Sequence, residues 1–258
     1  MAGRIKQAFV GGLLGRKGRA LEEALAIAAE IGFQGIDLPG PFDLDELVKL
    51  APKHGLTVCM VGGHGTLTDG MNNKANHERI IAELRERIVY AADHGIPSLV
   101  CFSGNRKGLD DYAGLHHCAE CLKHVAELAE SKGVNLCMEL LNSKVNHPDY
   151  QCDRTLWGVT MCRLVGSPRV KLLFDIYHMQ IMEGDLIRNI TTYIHHIGHF
   201  HTAGNPGRRD LDDSQEINYR AVMQAIADTD YDGFVGHEYS PKEDEVASLR
   251  QAFAVCDV

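Results

Sequence analysis

The sequence predicts an α/β fold, a single (β/α)8 TIM barrel that takes up residues 1–258 as one domain. Two observations support this prediction. Amphipathic stretches with apolar residues at helical spacing alternate with short apolar runs, and a Gly or Pro usually separates the two. The alternation continues along the whole chain and gives eight strands and eight helices. Strict alternation is typical of parallel strands with crossover helices, and this number of units in ~250 residues matches a barrel.

The predicted elements begin with a strand, IKQAFVGG, and continue with units of helix, stop and strand. In the second unit, Asp43 and Glu46 are spaced as a capping box at the start of a helix. The seven units are LEEALAIAAEIGFQGIDLPG, DLDELVKLAPKHGLTVCMVGG, ERIIAELRERIVYAADHGIPSLVCFSG, CLKHVAELAESKGVNLCMELLN, TLWGVTMCRLVGSPRVKLLFDIYH, DLIRNITTYIHHIGHFHTAG and YRAVMQAIADTDYDGFVGHEYS. A closing helix, EVASLRQAFAV, follows them. Most strands are continuous apolar runs, as expected for strands that are covered on both faces.

An open doubly wound sheet is the runner-up fold. Such a sheet usually carries a G-x-G-x-x-G fingerprint after its first strand, and the corresponding stretch here, VGGLLGRKG, lacks it. The sequence therefore favours the barrel.

The net charge of −9 and the isoelectric point near 5.8 argue against nucleic-acid and anionic-membrane partners, which need a basic patch. No apolar run reaches the ~18 residues that a membrane helix needs, and the first residues lack the apolar region of a secretory signal. We therefore expect a cytoplasmic protein.

The chain has eight cysteines. Cys59, Cys101 and Cys137 lie inside apolar runs and are interpreted as small buried hydrophobic residues. Cys118 and Cys121 form a C-x-x-C pair, but the surrounding residues have helical periodicity and no second pair follows. Helix packing is therefore favoured over a zinc or redox site.

Ligand-type side chains follow the predicted strands at their C-terminal ends, where TIM barrels carry their chemistry. They are His64 at the end of strand three, Glu139 at the end of strand five, Asp175 and His178 at the end of strand six, His201 at the end of strand seven and Glu238 at the end of strand eight. Carboxylates that converge without a cation repel one another, and a divalent metal relieves that repulsion. Carboxylate oxygens with one imidazole suit Mn²⁺, Mg²⁺ or a similar ion such as Co²⁺ better than a sulfur-rich zinc site does. His201 is the better ligand candidate, because His199 lies one pleat deeper in the strand and is expected to be core or to support the ligands.

Four segments resemble the hydroxypyruvate isomerase-like branch of the xylose isomerase-like (sugar isomerase/epimerase) TIM-barrel superfamily. They are LCMELLN, LLFDIYHMQIMEGDLIRNI, HFHTAGNPGRRDLDDSQEINY and YDGFVGHEYSP. The resemblance implies that Glu139, Asp175, His201 and Glu238 bind one divalent metal ion, and that the two glutamates move the proton. It also implies that His178 lies near substrate oxygens, and that Arg208 is the arginine that follows strand seven.

The predicted function is a metal-dependent isomerase that acts on a small hydroxy-keto acid or ketose through an enediolate, of the hydroxypyruvate/tartronate semialdehyde type. The alternative is a ketose 3-epimerase, because hydroxypyruvate isomerases often carry Gln where this chain has His201. A metal-dependent endonuclease is opposed by the net charge. A sugar-binding barrel without turnover is opposed by the pair of Glu139 and Glu238, since binding alone needs no proton transfer.

The predicted substrate contacts are His178, Arg208 and His64. A forked guanidinium at Arg208 suits a substrate carboxylate. Lys144, Asn146 and His147, in the loop after strand five, are candidates for shaping specificity. The expected partner is a small keto acid or ketose, with no nucleic acid and no membrane, and the sequence leaves a homo-oligomer open.

Overall fold

The computed structural model describes residues 3–258, in which eight parallel strands form one closed barrel in the order of the chain. The strands are β1 (Lys6–Val10), β2 (Gly35–Asp37), β3 (Thr57–Gly62), β4 (Ser98–Cys101), β5 (Asn135–Glu139), β6 (Val170–Asp175), β7 (Ile197–Thr202) and β8 (Phe234–His237). The predicted TIM barrel is thus confirmed. The prediction of a single domain over 1–258 stays a prediction.

Ten α-helices lie among the described residues, two more than the sequence predicted. They are α1 (Gly12–Gly15), α2 (Leu21–Ile31), α3 (Leu44–Leu50), α4 (His77–Asp93), α5 (Asp111–Lys132), α6 (Thr155–Val165), α7 (Ile176–Met182), α8 (Leu186–Tyr193), α9 (Tyr219–Ala227) and α10 (Glu245–Cys256). The additional helices are the short α1 and α7, which follow β1 and β6 within one residue or directly. Neither contains a charged residue other than histidine, so the sequence does not distinguish them from the apolar strands that precede them.

Local signals set the helix boundaries. The predicted cap at Asp43 is confirmed, because its Oδ1 accepts a hydrogen bond from the Glu46 N–H at 2.8 Å. At the C-terminal end of α5, Gly133 adopts a left-handed conformation (φ 72°), and its N–H donates to the carbonyls of Ala129 and Glu130. This conformation is costly for residues with a Cβ, which explains the glycine.

By contact density, the chain divides into two compact units. One unit contains residues up to Val61, Leu186–Ile194 and Phe200–Val258. In its core, the ring of Phe33 packs against those of Phe9 and Phe253, with centroid distances of 5.4 and 5.2 Å.

The other unit contains Gly62–Asp185 and His195–His199. Its β4, β5 and β6 pair in parallel, and α5 and α6 pack on each other beside them. At Gly158 of α6, an added Cβ would lie 2.7 Å from the side chain of Leu172. The glycine therefore allows α6 to approach β6 closely.

All eight cysteines are buried and free. Burial raises the pKa of Cys121 to about 12 and that of Cys118 well above the ordinary value, so both thiols are protonated near neutral pH. Among the described residues, two groups of side chains lie close enough together to hold a metal ion, and neither contains a cysteine. No helix in residues 3–258 combines the length and the apolar character needed to cross a membrane.

Candidate active site

At the ends of β7 and β8, strand register brings His201 and Glu238 to one face. His201 pairs with Gly236, and Glu238 lies two residues beyond Gly236. Residues two apart on a strand point to the same side, so Glu238 projects on the side of His201 and one pleat further along. The His201 Nδ1 atom lies 3.1 Å from Glu238 Oε2.

The end of β2 supplies a carboxylate that the sequence analysis missed. Asp37 is fully buried, and its Oδ2 lies 3.6 Å from Nε2 of His201. The signal was available, because GID is a short run that ends in a carboxylate, as strands five and six do. The strand has only three residues, which makes its end harder to locate from the sequence.

The ring of His201 has a carboxylate at each nitrogen. Burial disfavours the charged imidazolium, but the negative charge of Glu238 and hydrogen bonding to Asp37 and Glu238 together raise the pKa of His201 well above its ordinary value. This arrangement attracts positive charge to the space beside the ring. A proton on the ring or a divalent cation beside it would meet that demand.

Arg208 lies against the same glutamate. Its Nη2 donates to Oε2 of Glu238 at 2.6 Å, and each side chain is about a quarter exposed. Arg208 has a left-handed backbone conformation (φ 55°), which is uncommon for a residue other than Gly. The neighbouring Arg209 points elsewhere, since its Nη2 donates to the carbonyl of Pro241.

At the ends of β5 and β6, the same register rule brings Glu139 and Asp175 to one face. Glu139 pairs with Leu173, and Asp175 lies two residues beyond Leu173. Both carboxylates are buried. Asp175 also caps α7, because its Oδ1 accepts from the N–H of His178 at 3.0 Å.

The position of His178 corrects the sequence analysis, which placed it at the end of strand six. It lies in the first turn of α7, because the capping carboxylate of Asp175 ends the strand and begins a helix. Its Nε2 is 3.7 Å from Oδ2 of Asp175.

The loop after β5 is tied to neighbouring segments by several hydrogen bonds. Tyr150 Oη accepts from the N–H of Ser103 at 3.1 Å and donates to the carbonyl of Glu139 at 3.0 Å. Lys144 Nζ donates to the last carbonyls of α7, those of Ile181 and Met182, at 3.0 Å each. Lys144 thus fastens this loop to α7 in the structure.

His64 follows β3 and is buried, with both ring nitrogens bonded to backbone groups. Nε2 accepts from the N–H of Phe102 at 2.9 Å, and Nδ1 lies 3.0 Å from the carbonyl of Gly65. Burial lowers its pKa, which keeps the ring neutral. These bonds join the loops after β3 and β4, and the predicted substrate contact of His64 stays a prediction.

Two groups of side chains offer ligand atoms that all lie within 4.8 Å of one another. The first group is the predicted ligand set, Glu139, Asp175, His201 and Glu238. The second group is Asp37, His199 and His201, which places the buried His199 beside the ligands, as expected for the deeper histidine of the strand. Three carboxylates and one imidazole are a donor set that suits a hard or borderline divalent ion.

Comparison with known proteins gives a family and named relatives. A family model described as xylose isomerase-like TIM barrel matches residues 25–256. The hydroxypyruvate isomerase of Escherichia coli (strain K12) is 28% identical over 235 residues, which cover 86% of this chain and 89% of that protein. The named relatives support an isomerase-type enzyme.

Solved structures agree on the fold. An AP endonuclease, family 2, from Brucella melitensis superposes with a TM-score of 0.81 at 25% identity, covering 95% of this chain and 97% of that one. D-psicose 3-epimerase from Clostridium cellulolyticum H10 superposes with a TM-score of 0.78 at 20% identity, covering 98% and 97%. The chain belongs to the xylose isomerase-like TIM barrel family.

Proposed function

We propose that this protein is a metal-dependent isomerase that interconverts a small hydroxy-keto acid and its aldehyde isomer, with hydroxypyruvate and tartronate semialdehyde as the first pair to test. The observation that carries the proposal is the convergence of ligand atoms from Glu139, Asp175, His201 and Glu238. The E. coli relative named hydroxypyruvate isomerase supports the choice of reaction.

The four side chains fit one divalent ion, which we propose to be Mn²⁺, Mg²⁺ or Co²⁺. Three carboxylates at close range need positive charge. The pKa of His201 is raised by Glu238, which is one of the three, and by Asp37. When bound, such an ion would polarise the carbonyl and hydroxyl oxygens of the substrate and stabilise the negative charge that develops on them.

Two glutamates divide the proton transfer in the proposed reaction. One carboxylate removes a proton from the hydroxymethyl carbon of hydroxypyruvate, and the electrons of the broken C–H bond form the enediolate. The other carboxylate, or the same one, delivers a proton to the former carbonyl carbon. The hydroxyl proton of the substrate moves to the former carbonyl oxygen, so the product is an isomer and no external reductant is needed.

Arg208 is proposed to bind the carboxylate of the acid substrate. Its guanidinium already pairs with a carboxylate, that of Glu238. A planar fork of donors matches a carboxylate bidentately, and charge-assisted hydrogen bonds of this kind are stronger than neutral ones. The arginine can exchange the glutamate for the substrate, because a metal at Glu238 would satisfy that carboxylate in its place.

A ketose 3-epimerase is the second candidate. It is favoured by His201, which stands where hydroxypyruvate isomerases often carry Gln. Epimerisation would use the same two glutamates but return the proton to the carbon that lost it. An endonuclease activity, suggested by the name of one solved neighbour, is disfavoured by the net charge of −9.

A substrate panel tests the proposal. Protein stripped of metal and reloaded with Mn²⁺, Mg²⁺ or Co²⁺ is incubated with hydroxypyruvate and, separately, with neutral ketoses. We expect turnover of the keto acid that depends on added metal. Turnover of a ketose alone would replace the isomerase by the epimerase, and turnover of neither would contradict both candidates.

A further inference from the structure

The segment Asn142–His147, which we call the β5 loop, is organised around the side chain of Asn142. Asn142 is fully buried. Its Oδ1 accepts hydrogen bonds from the backbone N–H groups of Val145 at 3.0 Å and Asn146 at 2.8 Å. Backbone amides can only donate, so these two bonds establish which atom of the Asn142 side chain is the oxygen.

The amide nitrogen of Asn142 therefore faces the other way, towards His178. Nδ2 donates to Oδ1 of Asn146 at 2.8 Å and lies 2.5 Å from Nδ1 of His178. The backbone N–H of Asn142 also donates to the same Nδ1 atom, at 3.2 Å. Oδ1 of Asn146 accepts a further bond from the hydroxyl of Tyr177 at 2.9 Å.

Two donors thus meet one ring nitrogen of His178. A ring nitrogen that faces two N–H groups must offer its lone pair, since a proton there would place donor against donor and leave buried polar groups unsatisfied. The single proton of the neutral ring consequently lies on Nε2. This agrees with the other end of the ring, where Nε2 is 3.7 Å from a carboxylate oxygen of Asp175, which accepts hydrogen bonds when ionised.

Packing fixes the plane of the ring as well as its tautomer. The rings of His147 and Tyr177 contact that of His178 at steep angles, with centroid distances of 5.3 and 5.1 Å. His178 itself is fully buried. A ring held in this way has one orientation in which to meet a substrate.

We infer that Asn142 is a positioning residue that holds His178 in the Nε2–H tautomer. His178 then donates a hydrogen bond to a substrate oxygen and does not act as the base that removes the carbon-bound proton, because Nδ1 is engaged and Nε2 already carries a proton. The role towards substrate rests on the proposed function. The tautomer does not, since it follows from hydrogen bonds of the protein alone.

The test reads the tautomer directly. Protein labelled with ¹⁵N-histidine and loaded with Mg²⁺ is examined by two-bond ¹H–¹⁵N correlation spectroscopy. The His178 signals are assigned by comparison with His178→Gln. We expect an unprotonated Nδ1 and a protonated Nε2; a protonated Nδ1 in the parent protein overturns the inference, whether or not any variant folds.

Asn142→Asp changes the donor into an acceptor. One carboxylate oxygen can still accept from Val145 and Asn146, while the other faces Nδ1 of His178 and draws a proton to it. We expect Nδ1 to become protonated and kcat/KM for hydroxypyruvate to fall by ~10- to 100-fold, the range for losing a residue that orients a metal-binding histidine.

Asn146→Asp is the matched control, with the same change of charge in the same loop. It keeps an oxygen for both Asn142 Nδ2 and the Tyr177 hydroxyl, so the His178 signals should keep the parent pattern. If Asn142→Asp folds and leaves the tautomer unchanged, or if Asn146→Asp alters it equally, Asn142 is not the residue that sets it. A parent protein with the expected tautomer and no isomerase activity contradicts the proposed function and leaves the tautomer assignment intact.

Discussion

The ends of β5 and β6 and the ends of β7 and β8 follow one register rule but support their side chains differently. In each pair, one ligand candidate ends or nearly ends the first strand, and the other lies two residues beyond the partner of the first. At β7 and β8, ion pairs to Glu238 and Asp37 hold His201. At β5 and β6, hydrogen bonds from Asn142 hold His178.

The two histidines show what this difference means. His201 has a carboxylate at each ring nitrogen, and its pKa is raised. His178 has two N–H donors at Nδ1, which fixes a neutral tautomer with the proton at Nε2. Strand register decides where a side chain points, whereas its hydrogen-bond partners decide whether it is suited to hold a cation or to donate a proton to a hydrogen bond.

The largest effect is expected from the two glutamates. Glu139→Gln and Glu238→Gln should each lower turnover of the keto acid by at least ~100-fold, the low end of general acid–base contributions. Gln keeps the shape and one oxygen but cannot carry the proton. Turnover is measured with the metal content of each variant determined in parallel.

The control for these variants is Glu127→Gln, at an exposed position of α5, which should retain parent activity. Because a lost metal ion would mimic a lost proton transfer, only fully metallated variants count. Normal turnover by either metallated variant would remove that glutamate from the proposed mechanism.

Arg208→Met should lower kcat/KM for an acid substrate by ~10- to 200-fold, since charge-assisted hydrogen bonds contribute roughly 1.5–3 kcal/mol. A neutral ketose should lose less. Arg209→Met is the internal control, because Arg209 points to the carbonyl of Pro241 and should matter little. Equal losses for acid and neutral substrates would mean that Arg208 acts through Glu238 and not through a substrate carboxylate.

Asp37→Asn should weaken metal binding by ~10- to 100-fold, the usual effect of removing a carboxylate that orients a metal-binding histidine. Isothermal titration with Mn²⁺ measures this without any substrate. Asp93→Asn, at an exposed position of α4, serves as the control. Unchanged affinity in Asp37→Asn would show that the ion pair to His201 has no part in holding the metal.

The smallest effect on activity is expected from replacing two buried tyrosines, one in each region, whose hydroxyls bond to backbone groups. Tyr150 bonds to Ser103 N–H and the Glu139 carbonyl, and Tyr219 Oη bonds to both backbone groups of Ala203. Tyr150→Phe and Tyr219→Phe should each cost about 1–3 kcal/mol in the free energy of unfolding, because each leaves buried backbone groups unsatisfied. Urea denaturation compares them, and a loss confined to one variant would show that the two regions are not supported alike.

Much of this arrangement was predictable from the sequence, because it depends on local and periodic signals. Alternating helices and strands predicted the barrel, and the residues that end its strands include the four with converging ligand atoms. Asp37 is likewise a ligand-type side chain at the end of a strand, but that strand is very short. The early end of strand six was harder to predict, because Ile176–Met182 is apolar enough to be predicted as strand. The cap at Asp175 marks where the helix begins.

The part played by Asn142 was not predictable. Its side chain acts on His178, 36 residues away, and the direction of that bond depends on which amide atom faces the ring. Periodicity carries no information on such a choice. It follows only from the backbone donors of Val145 and Asn146, which the fold brings to the same side chain.

The central claim is that the protein moves a carbon-bound proton of a keto acid with Glu139 and Glu238. It is tested most directly by incubating the metal-loaded protein with hydroxypyruvate in D₂O and following the product by NMR. The account predicts deuterium at the former carbonyl carbon of the tartronate semialdehyde, together with loss of this exchange in metallated Glu139→Gln and Glu238→Gln. Product that forms without solvent deuterium, and that both variants form at the rate of the parent protein, would contradict it.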